Sequence, residues 1–224
     1  MKLFLADIRD IDLEYSQLLD KERRERAERY RLIDDKKRCI LAGLMTRRFL
    51  GNAEILKNEY GKPYLSDGRF FNISHSGNYV LFTLGESEIG CDIEQFHYVN
   101  AVRTGKTVFN DDEMNLLLAD NDRLGAFFNL WTKKESLLKC MGEGFHRSAK
   151  SVDVCSDIFE DKGKIYFLKT WNFSDYTVSV CSEENDFPKL IEFIGTEELL
   201  FQYREKVGCQ TANPTLICFS KIMS

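Results

Sequence analysis

Three short stretches carry residue types suited to phosphate and proton chemistry. In Gly90-Cys91-Asp92-Ile93-Glu94 the carboxylates stand two positions apart, and a strand repeats every second residue. Asp92 and Glu94 therefore share one face, while Cys91 and Ile93 point to the other. Two carboxylates in one small site supply hard oxygen ligands for Mg²⁺, an ion that keeps several waters and is completed by substrate phosphates. An ordinary polar strand end has the same spacing, because D-x-E recurs by chance.

The second stretch is Leu130-Trp131-Thr132-Lys133-Lys134-Glu135-Ser136-Leu137-Leu138-Lys139. At about 100° per residue, Glu135 falls roughly 40° from Trp131, within the arc of Phe127, Phe128 and Leu138. A carboxylate on that inward stripe calls for a cation, a metal or a site opening. Lys139, one turn further on, would also satisfy it as an ordinary helix pair. The third stretch, Asn72-Ile73-Ser74-His75-Ser76-Gly77, places one of only three histidines at a strand-to-turn junction. Its hydroxyls, backbone N–H groups and imidazole suit phosphate oxygens; a turn that uses Ser and Gly for geometry alone is the alternative.

These stretches need elements that bring them together. Residues 70 to 94 read as an antiparallel three-strand meander, Phe70–Ser74, Tyr79–Leu84 and Glu88–Glu94, with turns at Ser76-Gly77-Asn78 and Gly85-Glu86-Ser87. The ends of the first and third strands then lie at one sheet edge, so Ser74-His75 and Asp92-Ile93-Glu94 become neighbours. Glu135 and Lys139 ride on a helix from Asp122 to Met141, ended by Gly142-Glu143-Gly144. A further helix starts at Asn110-Asp111-Asp112-Glu113, capped by Asn110 or Asp111. From Asp34 the apolar residues Leu41, Leu44, Met45 and Phe49 mark an amphipathic helix that stops at Gly51-Asn52. Residues 2–6, 164–171 and 176–181 read as strands, Gly61-Lys62-Pro63 as a turn, and Phe96–Thr107 as unpatterned. A subdomain boundary falls near residue 100, giving parts 1–100 and 101–224; the last forty residues carry no functional signal.

The 224 residues hold 31 Lys+Arg against 36 Asp+Glu, a formal net charge of −5, which argues against a dedicated nucleic-acid binder. With 43% hydrophobic residues and three prolines, the chain can bury a sizeable core. Its only strongly basic segment, Lys21 to Arg38, holds nine basic and five acidic residues and reads mainly as a solvated helix face laced with ion pairs. Seven cysteines without a CxxC pair argue against a disulfide framework or a Cys-rich zinc site and suit a reducing cytosol. A charge arrives too early for a signal peptide, and no apolar run approaches membrane-spanning length. The expectation is a soluble cytoplasmic protein. Gly105-Lys106-Thr107 is no P-loop, since Asn100 stands where the first glycine is required, and Gly142-Glu143-Gly144 follows a helix, which rules out a dinucleotide fingerprint.

In order, Gly61-Lys62-Pro63, Phe71-Asn72-Ile73-Ser74-His75-Ser76, Gly90-Cys91-Asp92-Ile93-Glu94 and Trp131-Thr132-Lys133-Lys134-Glu135-Ser136-Leu137-Leu138-Lys139 resemble the 4′-phosphopantetheinyl transferase superfamily in its longer, surfactin-synthetase-activating form. The motif-bearing portion runs from about residue 26 to 145. The resemblance implies an α/β (α+β) fold, a pseudo-dimer of two similar α/β subdomains with the active site in the cleft between them. It implies transfer of the phosphopantetheine arm of coenzyme A to a serine of an apo acyl, peptidyl or aryl carrier protein, with Mg²⁺ or Mn²⁺, releasing adenosine 3′,5′-bisphosphate. A monomer is expected.

Carried over residue by residue, the resemblance makes Asp92, Glu94 and Glu135 metal ligands, with Glu135 as ligand, base or both. It makes Lys139 a contact of the coenzyme A diphosphate and Lys134 a second coenzyme A contact. Ser74 and His75 match the phosphate-contacting pair, Lys62 the lysine of the Gly-Lys-Pro element, and Arg26, Arg29 and Arg38 basic positions that grip the 3′-phosphate. Cys91 precedes Asp92 where small aliphatic residues are usual, and Gln95 follows Glu94 where a basic residue is common. Two other readings use the same residues: a non-catalytic coenzyme A or carrier-protein binding module, and a metal-dependent phosphoesterase.

Overall fold

The computed structural model describes residues 1–144 and 147–207. In chain order it contains β1 (Lys2–Asp7), α1 (Lys21–Arg29), α2 (Ile33–Leu50), β2 (Ile55–Lys57), β3 (Pro63–Leu65), β4 (Phe70–Ser76), β5 (Tyr79–Gly85) and β6 (Ile89–Gln95). There follow α3 (Ala101–Val108), α4 (Asp111–Ala119), α5 (Arg123–Met141), β7 (Ile158–Asp161), β8 (Lys164–Asn172), β9 (Tyr176–Ser182), β10 (Glu192–Phe193) and α6 (Thr196–Val207). No described helix is long and apolar enough to cross a membrane. The five described cysteines, Cys39, Cys91, Cys140, Cys155 and Cys181, are free; Cys209 and Cys218 lie outside the described residues.

The chain divides into two compact units. The first comprises Met1–Leu3, Ala53–Gly77 and Leu81–Leu190, and residue 100 lies inside it; the second comprises Phe4–Asn52, Asn78–Val80 and the segment from Ile191 onward.

In the first unit α5 packs on an antiparallel sheet ordered β6-β9-β8-β7. Its start is set by Asp122, whose side chain accepts from the Gly125 N–H at 3.0 Å, and its end by Gly142 in the left-handed region at φ 68°. Phe127, Phe128, Leu130, Leu137 and Cys140 of α5 join Leu117, Tyr166, Leu168 and Cys181 in one core. The approach of α5 to β6 demands a glycine. A Cβ at Gly90 would lie 2.1 Å from the Ser136 carbonyl oxygen and 2.3 Å from the Cys140 nitrogen. On the same sheet face the buried Ser179 hydroxyl meets Thr132 at 2.8 Å and Thr170 at 2.9 Å, so burial leaves it partnered.

The three strands of the expected meander form, but β6 does not continue the ladder of β4 and β5. It pairs instead with β9, placing Asp92 opposite Ser179 and Glu94 opposite Thr177. In this place, at the edge of the β6-β9-β8-β7 sheet, Ile89 to Ile93 are all buried. In one flat meander β5 would hold β4 and β6 about 9–10 Å apart. Here their side chains touch directly, Ser74 Oγ donating to Asp92 Oδ1 and Ser76 Oγ to Glu94 Oε2, both at 2.8 Å and both at a sequence offset of 18. The two strands therefore run in the same direction.

Residues 96–107, unpatterned by sequence, contain α3, capped by Asn100 Oδ1 accepting from the Arg103 N–H at 3.0 Å. The start of α4 is a capping box between Asn110 and Glu113. In the second unit β1 and β10 pair in parallel, Phe4 stacks on Phe49 at 3.9 Å, and Leu41, Leu44 and Met45 of α2 are fully buried. The basic stretch folds as α1 and the first turns of α2, broken at Tyr30–Leu32, with Lys21 and Glu25 forming an i,i+4 pair at 3.8 Å.

Candidate active site

A cavity of about 320 Å³ opens in the first unit, lined by Ile73, Ser74 and His75 of β4, Asp92 and Glu94 of β6, and Trp131, Glu135 and Lys139 of α5. Its lining thus comes from both sides of residue 100. The period of two puts Asp92 and Glu94 into the cavity, while Cys91 and Ile93 are buried in packing. Burial pushes the Cys91 thiol up to about 12, which suits a packing residue. On α5 the lining positions 131, 135 and 139 are spaced by four, one side of the helix.

The polar contacts are unequal among the three carboxylates. Lys139 Nζ stands 2.6 Å from Asp92 Oδ1 and also reaches the Cys91 carbonyl at 3.2 Å. Asp92 Oδ2 is buried and has no hydrogen-bond partner among the described residues. Glu94 is held at both oxygens, by Ser76 Oγ at 2.8 Å and Trp131 Nε1 at 3.4 Å. Glu135 makes no hydrogen bond among the described residues. Burial first, and then the negative charge of Asp92, raises the pKa of Glu94. Burial also raises that of Glu135, Lys139 opposes it, and Asp92 and Glu94 add to it. For Lys139 burial works against the ammonium, yet the charge of Asp92 and their hydrogen bond prevail and raise its pKa.

This is a donor set short of positive charge. Among the described residues no three His, Cys, Asp or Glu side chains converge tightly enough to close a metal shell by themselves. A hard cation whose remaining ligands are water and substrate phosphate needs no closed shell. The orphaned Asp92 Oδ2, in a cavity that Glu94 and Glu135 also line, fits such an ion.

Other residues singled out by the sequence lie elsewhere. Lys134, expected at coenzyme A, is 1% exposed; its Nζ lies 2.7 Å from Glu113 Oε2 and donates to the carbonyls of Ala149 and Val152. Lys62 is 8% exposed and pairs with Glu88 while donating to the Cys140 carbonyl at 2.8 Å, at the end of α5. Neither lines the cavity. Arg26 and Arg29 are exposed in the last turn of α1, and Arg38 on α2 bonds Asp35 at 2.7 Å, all in the second unit.

Three residues of the motif stretches take supporting roles that the sequence did not assign. Ser76 and Trp131 orient Glu94, and Asn72 Oδ1 accepts the Cys91 N–H at 3.0 Å. The signal for Ser76 was its place two residues beyond Ser74, on the same strand face and opposite the second carboxylate.

Comparison with known proteins bears directly on this arrangement. The family model of the 4′-phosphopantetheinyl transferase superfamily matches residues 88–190, the stretch that contains Asp92, Glu94, Glu135 and Lys139. The chain is 29% identical over 206 residues to the 4′-phosphopantetheinyl transferase Sfp of Bacillus subtilis (strain 168), covering 83% of this chain and 92% of that one. It is 30% identical over 202 residues to the transferase ffp of Bacillus subtilis, covering 80% and 88%. To the transferase gsp of Aneurinibacillus migulanus it is 34% identical over 141 residues, covering 58% and 59%. Likeness sustained along most of the sequence, with the carboxylates and the lysine brought to one cavity, makes this chain a member of the 4′-phosphopantetheinyl transferase superfamily.

Proposed function

We propose that this chain moves the phosphopantetheine arm of coenzyme A onto a serine of an apo carrier protein in the cytoplasm, with Mg²⁺, releasing adenosine 3′,5′-bisphosphate. The observation that carries the reading is the cavity wall of Asp92, Glu94 and Glu135 with the buried, unpartnered Asp92 Oδ2. Asp92, Glu94 and Glu135 would hold the ion. When bound, Mg²⁺ neutralises diphosphate charge and lowers the barrier to displacement at phosphorus.

The chain's own residues account for the rest. The serine oxygen forms a bond to the phosphorus next to pantetheine, the bridging P–O bond breaks, and the nucleotide leaves with that bridging oxygen. The serine proton needs an acceptor. Glu135 is the cavity carboxylate with no hydrogen bond among the described residues, and its raised pKa brings it closer to the working pH of a base. Lys139, 31% exposed and kept protonated by Asp92, places a fixed positive charge at the cavity, where it stabilises charge building on the diphosphate. Ser74 and His75 on the same wall offer further contacts to phosphate oxygens. Arg26, Arg29 and Arg38 are assigned to the 3′-phosphate, for which planar guanidinium groups are suited. Residues 1–100 and 101–224 are read as the two related halves of one monomer, each contributing residues to the cavity lining.

Chromatography of the nucleotide product tests this reading. Adenosine 3′,5′-bisphosphate should appear only when an apo carrier is present, in equal amount to the holo carrier formed. Release without a carrier would instead mark a phosphoesterase.

A further inference from the structure

Lys134 stands at a core position of α5. Seven residues after Phe127 and three before Leu137, it lies within about 60° of both around the helix, and both are buried in the main core of the first unit. A lysine there is costly unless every donor is matched. An ammonium has three N–H groups, and here all three have partners: Glu113 Oε2 at 2.7 Å, the Ala149 carbonyl at 2.7 Å and the Val152 carbonyl at 2.8 Å. No donor remains for a phosphate oxygen, and the residue does not line the cavity.

Its partner is equally committed. Glu113 is 0% exposed. Its Oε2 also accepts the Asn110 N–H at 2.9 Å, and its Oε1 accepts the Val154 N–H at 3.0 Å. One buried ion pair thus joins the start of α4, the back of α5 and the 149–154 segment. The next residue along α5 is Glu135, about 100° further round the helix and in the cavity wall. A rotation of α5 that moved Glu135 would break the Lys134 bonds.

We propose that Lys134 is a positioning residue, which by its bonds to Glu113, Ala149 and Val152 fixes the rotation of α5 and so aims Glu135, and which makes no contact with coenzyme A. The inference rests on the functional reading above and concerns a residue that the sequence motif alone would assign to the substrate.

Two measurements test it. The first compares wild type, Lys134→Gln, Glu113→Gln and the double variant Lys134→Gln/Glu113→Gln, reading kcat, calorimetric affinity for coenzyme A and the melting temperature. Each single change leaves a buried charge unpaired, and each should lower kcat at least about tenfold. The double variant exchanges the ion pair for two neutral amides, and should recover kcat to within about threefold of wild type with affinity for coenzyme A unchanged. A lysine that held a phosphate could not be rescued by neutralising Glu113. A double variant that melts like wild type yet binds coenzyme A about tenfold more weakly overturns the proposal.

The second measurement uses wild type alone, so variant folding does not enter. Reductive methylation of lysines, mapped by mass spectrometry, should leave Lys134 unmodified with and without coenzyme A, while Lys139 is labelled free and protected when bound. Labelling of Lys134 that coenzyme A suppresses would overturn the proposal. A wild-type chain that neither binds coenzyme A nor modifies a carrier would instead overturn the functional reading, and this inference with it.

Discussion

Lys139 Nζ stands 2.6 Å from Asp92 Oδ1, one turn of α5 beyond Glu135, so one ammonium faces the carboxylates of a strand and of its own helix. The pair joins α5 to β6 at the cavity and leaves Asp92 Oδ2 without a partner.

Replacing that ammonium should separate its charge from its packing. Lys139→Met keeps most of the side-chain volume, removes the fixed charge, and should lower kcat/KM by about 10²–10³-fold. Steady-state kinetics with saturating Mg²⁺ checks this; a loss below about threefold would show that the lysine does not act on the diphosphate.

Without a divalent cation, the three clustered carboxylates should cost stability at neutral pH. The Glu135 pKa is raised in the folded state by burial, then by Asp92 and Glu94 against the opposing effect of Lys139. A carboxylate with a raised folded pKa contributes stability that is present below its unfolded value and lost as pH rises through the folded value. Glu135→Gln in EDTA should therefore melt higher than wild type at pH about 7, with the difference shrinking toward pH about 4, the ordinary glutamate range. A variant that melts lower than wild type throughout would contradict the account.

Gly90 is the contact on which α5 sits. A methyl group there meets backbone atoms of Ser136 and Cys140 at 2.1 and 2.3 Å, and backbone cannot swing aside as a side chain can. Gly90→Ala should cost on the order of 3 kcal/mol in urea unfolding, and should reduce turnover in whatever fraction remains folded, by shifting Glu135 and Lys139 away from Asp92.

Lys62 holds the end of α5 through the Cys140 carbonyl, beside Asn58, whose Nδ2 donates to the Gly142 carbonyl at 3.1 Å. A cation at a helix C-terminus is favourable. Lys62→Met should lower stability by about 1–2 kcal/mol while leaving the ratio of affinities for coenzyme A and 3′-dephospho-coenzyme A as in wild type. A ratio that collapses toward one would instead place Lys62 at the 3′-phosphate.

How far the site could be read from sequence depended on what each pattern encodes. Period two placed Asp92 and Glu94 together, because alternation is a property of the strand and holds whichever ladder it joins. The ladder itself was not legible: nothing local to residues 88–94 says that β6 pairs with β9, more than eighty residues later in the chain. Helical angles placed Glu135 near Trp131 and set it on the core stripe; they also bring Lys134 to about 20° from Phe127, where its residue type gave no sign of burial. In the structure the cavity face is 131, 135 and 139, and the core face includes Lys134. A lysine whose carboxylate partner is 21 residues away in another helix looks, in sequence, like a solvated one. The same holds for Lys62, whose partners are Glu88 and a carbonyl of α5.

The most direct test of the central claim is the intact mass of a carrier protein. Apo acyl and apo peptidyl carrier proteins, each incubated with this protein, coenzyme A and Mg²⁺, should gain about 340 Da, the phosphopantetheinyl increment. The gain should vanish in EDTA and return with excess Mg²⁺. Carriers of unchanged mass, with coenzyme A demonstrably bound to the protein, would contradict the transferase account and leave a coenzyme A binding module in its place.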